Sequence, residues 1–199
     1  MINNDLAEVY VRVSGKVIDT PVEINRFGSE VILRTTIESV RKSGKSDKIY
    51  VNYSSNLGVK LHKDDFVLLT GDIRTVNKPK SDFVINGYIF ASSVEILDEE
   101  PEDYDNFISI NNAKISNIIE CRKSYSNDKV DIATYRISLQ RKQSRFSDFS
   151  VTPWGTDAEA IRDNFSEGDK VCFWGRIQVY VSKATGKLYL CIVSSKVSK

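Results

Sequence analysis

The 199-residue sequence has one histidine, His62, and three scattered cysteines, Cys121, Cys172 and Cys191, none in a CxxC pair. So few ligand-type side chains exclude a zinc site, and three cysteines so far apart do not make a disulfide framework. With one imidazole, no Ser/His/Asp or Cys/His grouping can be assembled, so no catalytic activity, metal or cofactor is expected. No apolar run reaches the roughly 18 residues of a bilayer span, and the start MINNDLAEVYVRV has no basic segment followed by an apolar one. The expectation is a cytoplasmic protein with no membrane partner. A phosphate-cradling loop is also missing, because Arg41-Lys-Ser-Gly-Lys-Ser46 has no glycine four residues before its Gly-Lys.

What is present is a globular composition, 41% apolar and 28% charged, on a chain long enough for two small cores. The net charge of +1 conceals segregation: residues 1–97 sum to +1, residues 98–107 to −6, and residues 108–199 to +6. The acidic stretch Asp98-Glu-Glu-Pro-Glu-Asp-Tyr-Asp-Asn-Phe107 reads as a linker. Its carboxylates are either a solvated tether or an occupant of a cationic groove when no ligand is there.

The flanking halves repeat one another. Asp65, Val67, Gly71 and Ile73 align with Asp169, Val171, Gly175 and Ile177 at an offset of 104, and Lys16-Val17 with Lys114-Ile115 at 98. Within each copy the apolar period is two, as in Tyr10-Val-Arg-Val, Val31–Ile37, Phe66–Leu69 and Tyr88-Ile-Phe. The exception, Thr156–Phe165, spaces Ala158, Ile161 and Phe165 three to four apart, with acids in the first turn, and predicts a helix. Asn56–Leu61 is its shorter counterpart in copy one. The predicted fold class is all-β: two tandem OB-fold barrels, 1–97 and 108–199, each of five strands with a short helix between strands three and four.

Gly168-Asp-Lys-Val-Cys-Phe-Trp-Gly-Arg-Ile-Gln178 resembles the fourth strand of bacterial single-stranded DNA-binding proteins, where Gly-Asp precedes an apolar strand ending in Gly-Arg/Gln-Leu/Ile. Asn112-Ala-Lys-Ile115 is similar to the opening strand of that family and Phe149-Ser-Val-Thr-Pro-Trp-Gly155 to its third. Ser14-Gly-Lys-Val17 and Thr70-Gly-Asp-Ile-Arg74 resemble it more loosely. The tandem arrangement looks like the two-barrel members of Gram-positive bacteria and their mobile elements. The resemblance implies a role in DNA replication, recombination or repair. It also favours DNA over RNA, between which stacking surfaces and cations do not discriminate. Family members end in an acidic tip that recruits partners; Ser195-Lys-Val-Ser-Lys199 does not match it, so recruitment by such a tail is not expected.

Alternation along strand four of copy two places Val171, Phe173, Ile177 and Val179 inward and Cys172, Trp174, Arg176, Gln178 and Tyr180 outward. The same reading puts Phe149 and Val151 inward, Trp154 outward, and Arg136, Ser138 and Gln140 on an outer face. Trp154, Trp174, Tyr180, Arg136 and Arg176 are therefore the candidate stacking and phosphate-binding residues, joined by Arg141, Lys142 and Arg145 of the connector. In copy one the aligned positions hold Thr70, Asp72, Val76 and Ser54, so its sheet face is expected to have lost these groups. An auxiliary contact is left to Arg41, Lys42, Lys45 and Lys48 with Tyr50 and Tyr53. If the tryptophans instead meet a protein, the chain is an OB-fold scaffold of a replication assembly, and self-association remains open.

Overall fold

The computed structural model describes residues 6–75, 87–123, 131–142, 145–181 and 188–198. Among the described residues the chain is all-β apart from one short helix and one 3-10 turn. It divides into two compact units that do not coincide with the halves of the sequence. One comprises Tyr10–Phe107 with Val179–Tyr189; the other comprises Met1–Val9, Ile108–Gln178 and Leu190–Lys199.

The unit containing Ile108–Gln178 is an OB-fold barrel. Its strands are β7 (Asn106–Lys123), β8 (Asp131–Lys142), β9 (Arg145–Val151), β10 (Lys170–Val181) and β11 (Leu188–Ser198). Antiparallel pairs β7–β8 and β8–β9 are followed by the parallel pair β9–β11, and β10 joins β11 to β7, which closes the circuit. Helix α1 (Thr156–Asn164) lies between the third and fourth strands, as its spacing predicts, and buries Ala158 and Ile161. Its first turn has no side-chain cap, and Asp157 and Glu159 face the positive end of the helix dipole instead. The inward residues of the alternation, Phe149, Val151, Val171, Phe173 and Ile177, are all buried, together with Ile110, Ile115, Ile137 and Leu139.

In the other unit β1 (Glu8–Val17) pairs with β5 (Phe66–Thr75) and at its end with β3 (Glu30–Val40). β3 continues antiparallel to β4 (Ser46–Ser54), β4 runs parallel to β6 (Gly87–Leu97), and β6 returns to β5. Two features depart from the predicted order. A further strand, β2 (Val22–Phe27), forms a hairpin with β3. The helix expected over Asn56–Leu61 is only a 3-10 turn, Ser55–Leu57, capped by the Ser54 hydroxyl and ended at Gly58. One such turn exposes too little apolar surface to be extended by packing. The acidic stretch also ends earlier than predicted, because Asn106 and Phe107 already belong to β7.

The repeat is visible in backbone detail. Asp65 Oδ2 accepts the His62 N–H and Asp169 Oδ2 accepts the Ser166 N–H, the same local turn 104 residues apart. Asp64 N–H donates to Val17 O and Gly168 N–H to Ile115 O, while Val17 N–H and Ile115 N–H donate to Asp65 O and Asp169 O. Asp64 and Gly168 both have positive φ, 76° and 96°, a conformation that aspartate tolerates and glycine adopts freely.

Candidate nucleic-acid interface

In the barrel, β10 presents its side chains as the alternation predicts up to Gln178: Cys172, Trp174, Arg176 and Gln178 are half-buried on the outer side. Val179, expected in the core, is only half-buried, and its N–H donates to Asp47 Oδ1 at 3.1 Å. The alternation therefore stops where the chain leaves this barrel for the other unit.

Trp154 is 48% exposed and sits beyond β9, held by a single bridge to Ile132 rather than within a strand. Two residues earlier, Thr152 N–H donates to Ile192 O and Thr152 O accepts from Ser194 N–H, so this loop is tied to β11. Trp174 borders the same stretch of β11, since its carbonyl accepts the hydroxyls of Ser194 and Ser195. Lys196 Nζ lies 5.4 Å from the Trp174 ring centroid. Ile192–Lys196 thus has Trp174 and a cation of its own on one side and, on the other, the Thr152 backbone that leads to Trp154. Sequence reasoning missed Lys196 because its relation to Trp174 is across strands, with no spacing to reveal it.

The other predicted residues of the C-terminal half lie on β8, β9 and β10. Arg136 is exposed on β8, opposite Ser150 of β9 and Asn117 of β7. Arg176 Nη2 donates to Gln178 Oε1 at 3.1 Å. Arg141 is half-buried at the end of β8, Lys142 pairs through its backbone with Arg145, and the side chains of Lys142 and Arg145 lie outside the described residues. Tyr180 is 44% exposed and stacks on Tyr189 with centroids 5.5 Å apart, both in the unit with Tyr10–Phe107. Phe146 of β9, 48% exposed opposite Gln140, is an outer aromatic that the alternation did not single out.

In the other unit the auxiliary set changes membership. Tyr53 is a core residue, 1% exposed, and burial raises its phenol pKa. Arg41 Nε donates to Asp47 Oδ2 at 2.6 Å in a pair whose carboxylate is fully buried, so that guanidinium is committed to the fold. Lys42, Lys45 and Lys48 are exposed, as expected of a hairpin tip, and Lys42 meets Asp103 at 3.4 Å. Asp105 likewise meets Arg12 at 3.0 Å. Two carboxylates of the acidic stretch thus face cations of this unit in pairs that salt screens.

The prediction that this sheet has lost its aromatics and cations is corrected by β6. Arg74 lies over the Phe90 ring at 3.8 Å and Arg34 over the Tyr88 ring at 5.9 Å, while Arg34 Nε donates to Asn52 Oδ1 at 2.9 Å. The register places these residues on neighbouring strands: Arg74 opposite Tyr88, Asp72 opposite Phe90, Phe90 beside Asn52, Asn52 opposite Arg34. Burial lowers the Arg34 pKa, and the nearby Tyr88 and Tyr50 oppose that shift. Val76 lies outside the described residues. The aligned positions misled because the aromatic groups moved from the fourth strand of the repeat to the fifth; the alternation Tyr88-Ile89-Phe90, with Ile89 buried, was the available signal.

Among the described residues there is no group of three or more metal-ligating side chains, and no helix is long and apolar enough to cross a membrane. The three cysteines are free thiols.

No family model matches the chain, and no curated protein does. Among solved structures it is similar to the wild-type single-stranded DNA binding protein of Thermus aquaticus: TM-score 0.72, 14% identity, covering 98% of this chain and 93% of that one. A deletion variant of the same protein gives TM-score 0.71 at 14% identity, covering 98% and 95%. At such identity the likeness is one of fold, and it runs along nearly the whole of both chains.

Proposed function

We propose that this chain is a single-stranded DNA-binding protein that holds its ligand without strong sequence preference, in DNA replication, recombination or repair. The observation that carries the reading is the β11 stretch that borders Trp174, carries Lys196 and is tied at Thr152 to the loop leading to exposed Trp154. Unpaired bases need exposed aromatic faces, and their phosphates need nearby cations; both requirements meet there, with Arg136 and Arg176 on the outer side of the same barrel. The fold likeness to a protein named for single-stranded DNA binding points the same way. In this reading the strands β1, β3, β4, β6 and β5 make a second OB-fold barrel. Its Arg34, Arg74, Tyr88 and Phe90 offer a second contact, while the main grip stays with the C-terminal barrel.

Both tryptophans of the sequence lie in the proposed contact, so intrinsic emission is a direct probe. Titration with oligo(dT) is expected to quench most of the fluorescence, with affinity falling steeply as salt rises. Trp174→Ala and Trp154→Ala are each expected to weaken binding by roughly 5- to 150-fold, the equivalent of the ~1–3 kcal/mol that stacking on one ring contributes in OB-fold single-strand binders. Phe90→Ala is expected to cost less than either. Unchanged emission together with no retention of the oligonucleotide would refute the proposal, and comparison with oligo(U) reads out the sugar preference.

A further inference from the structure

Where β7 and β8 pair at their far ends, the register sets Cys121 opposite Ala133 and Lys123 opposite Asp131. Helix α1 adds Ala158 and Arg162. Both alanines are buried and too small to fill the space between strands and helix, and these six residues line a cavity of about 310 Å3, within the ~300–1,000 Å3 of small-ligand pockets. Cys121 is the exposed thiol of the three; Cys172 is half-buried and Cys191 buried. Tyr135 follows Ala133 on the same side of β8, its side chain fully buried, and its hydroxyl has no hydrogen-bond partner among the described residues. That hydroxyl lies beside Cys121 and Arg162, and burial, then Cys121, raise its pKa, so it keeps its proton. A buried donor without an acceptor is costly, and here the fold keeps one next to an accessible sulfur. Asp131, 12% exposed, meets Lys123 at 2.7 Å and Arg162 at 4.0 Å, while both cations reach solvent at 61% and 47%. Arg162 also meets Asp163 at 2.8 Å.

We propose that Cys121 is a reversible modification site, forming a mixed disulfide with a small carboxylate-bearing thiol whose body occupies this cavity. In the exchange the Cys121 thiolate attacks one sulfur of that thiol's own disulfide. A new S–S bond forms as the old one breaks. Cys121 is oxidised, the departing thiol is reduced, and it takes up the proton that Cys121 gave up. The lining suits each part of the adduct. The Tyr135 O–H gains an acceptor in the sulfur or carbonyl placed beside Sγ, and carboxylates meet Lys123 and Arg162 at the mouth. Asp131 holds those two side chains over the opening without taking them out of water. The proposal holds whether or not the chain binds DNA.

The test equilibrates the full chain with oxidised and reduced glutathione and, in parallel, with the disulfide and thiol forms of 2-mercaptoethanol, which carry no carboxylate. Peptide mass spectrometry then gives the occupancy of each cysteine. Glutathione is expected to occupy Cys121 at redox ratios that leave Cys172 and Cys191 free, and to be preferred there over mercaptoethanol; in urea that preference is expected to vanish. Lys123→Gln combined with Arg162→Gln is expected to remove the preference in the folded chain, each cation contributing roughly 1.4- to 5-fold to the exchange constant. Tyr135→Phe decides between a ligand site and a merely accessible thiol. Because its hydroxyl has no partner, the reduced variant is expected to resist urea as well as wild type does, while its glutathione exchange constant falls roughly 2- to 12-fold, the effect of one hydrogen bond. Equal uptake of both reagents at Cys121, a preference that survives loss of both cations, or a Tyr135→Phe variant that holds glutathione as well as wild type would each overturn the proposal.

Discussion

Single side chains in this protein often do a different job from the one their residue type suggests. Arg41 and Tyr53 carry the marks of a nucleic-acid contact in the sequence, a cation and an aromatic near a basic hairpin. The fold spends one on the buried Asp47 and the other on its core. Alternation separates Tyr53 from Tyr50: three residues apart on β4, they lie on opposite faces, and Tyr53 shares the buried face of Ile49 and Val51. Where outcome follows from alternation alone, as along Val171–Ile177, the sequence is readable residue by residue; where it depends on a cross-strand neighbour, as for Lys196 over Trp174, it is not. Tyr53 also supplies a test in alkali. Burial raises its pKa, and Tyr104 is pushed up to about 12 by burial and then by its hydrogen bond to Glu100. A phenol whose folded-state pKa exceeds its unfolded value of about 10 contributes full stability below that pH and loses it as pH rises toward the folded value. The thermal midpoint is therefore expected to fall as pH climbs from 10 to about 12, and less steeply in Tyr53→Phe. Equal slopes for variant and wild type would mean that Tyr53 is not held neutral by the fold.

The order of strands and the position of the helix in the C-terminal barrel follow from a period of two interrupted once by a period near four, and there reading and structure agree. Failure came at elements whose residues are not buried. Among the described residues β2 has neither a buried face nor a second neighbouring strand, and the 3-10 turn at Ser55–Leu57 is too short to have a face at all. The repeat itself was a better guide than the periodicity, as Gly71 and Gly175 demonstrate. A Cβ at Gly71 would come 2.9 Å from Ala91 Cα, and one at Gly175 2.9 Å from Ser194 Cα, in both cases backbone of the last strand. The ladder between β5 and β6 shifts register at Thr70/Gly71, so the strands bend toward each other at this point. Gly71→Ala and Gly175→Ala are each expected to push the last strand away and to destabilise their unit by about 1–3 kcal/mol, measured by urea denaturation. A loss below roughly half a kcal/mol in either would show that the strands have room to relax.

For the whole molecule, charge segregation and the internal repeat were legible from composition and alignment, and the compact units were not. A cut at the acidic stretch looks natural in the sequence. The chain instead lends Val179–Tyr189 to the unit built from Tyr10–Phe107, and keeps Met1–Val9 with the unit built from Ile108–Gln178. Two backbone donors fix these loans: Val179 N–H to Asp47 Oδ1 at 3.1 Å and Ala7 N–H to Gln140 O at 2.9 Å. Such exchanges join residues about 130 apart, beyond the reach of any local pattern. They also change what a protease can accomplish. A single nick among Asp98–Asp105 leaves each fragment missing a piece of fold that the other fragment carries. The nicked protein is expected to travel as one species in native gel filtration and to part only in denaturant, and fragments made separately are expected to complement each other on mixing. Asp47→Ala is expected to loosen the nicked complex; fragments that separate freely in buffer would contradict the exchange.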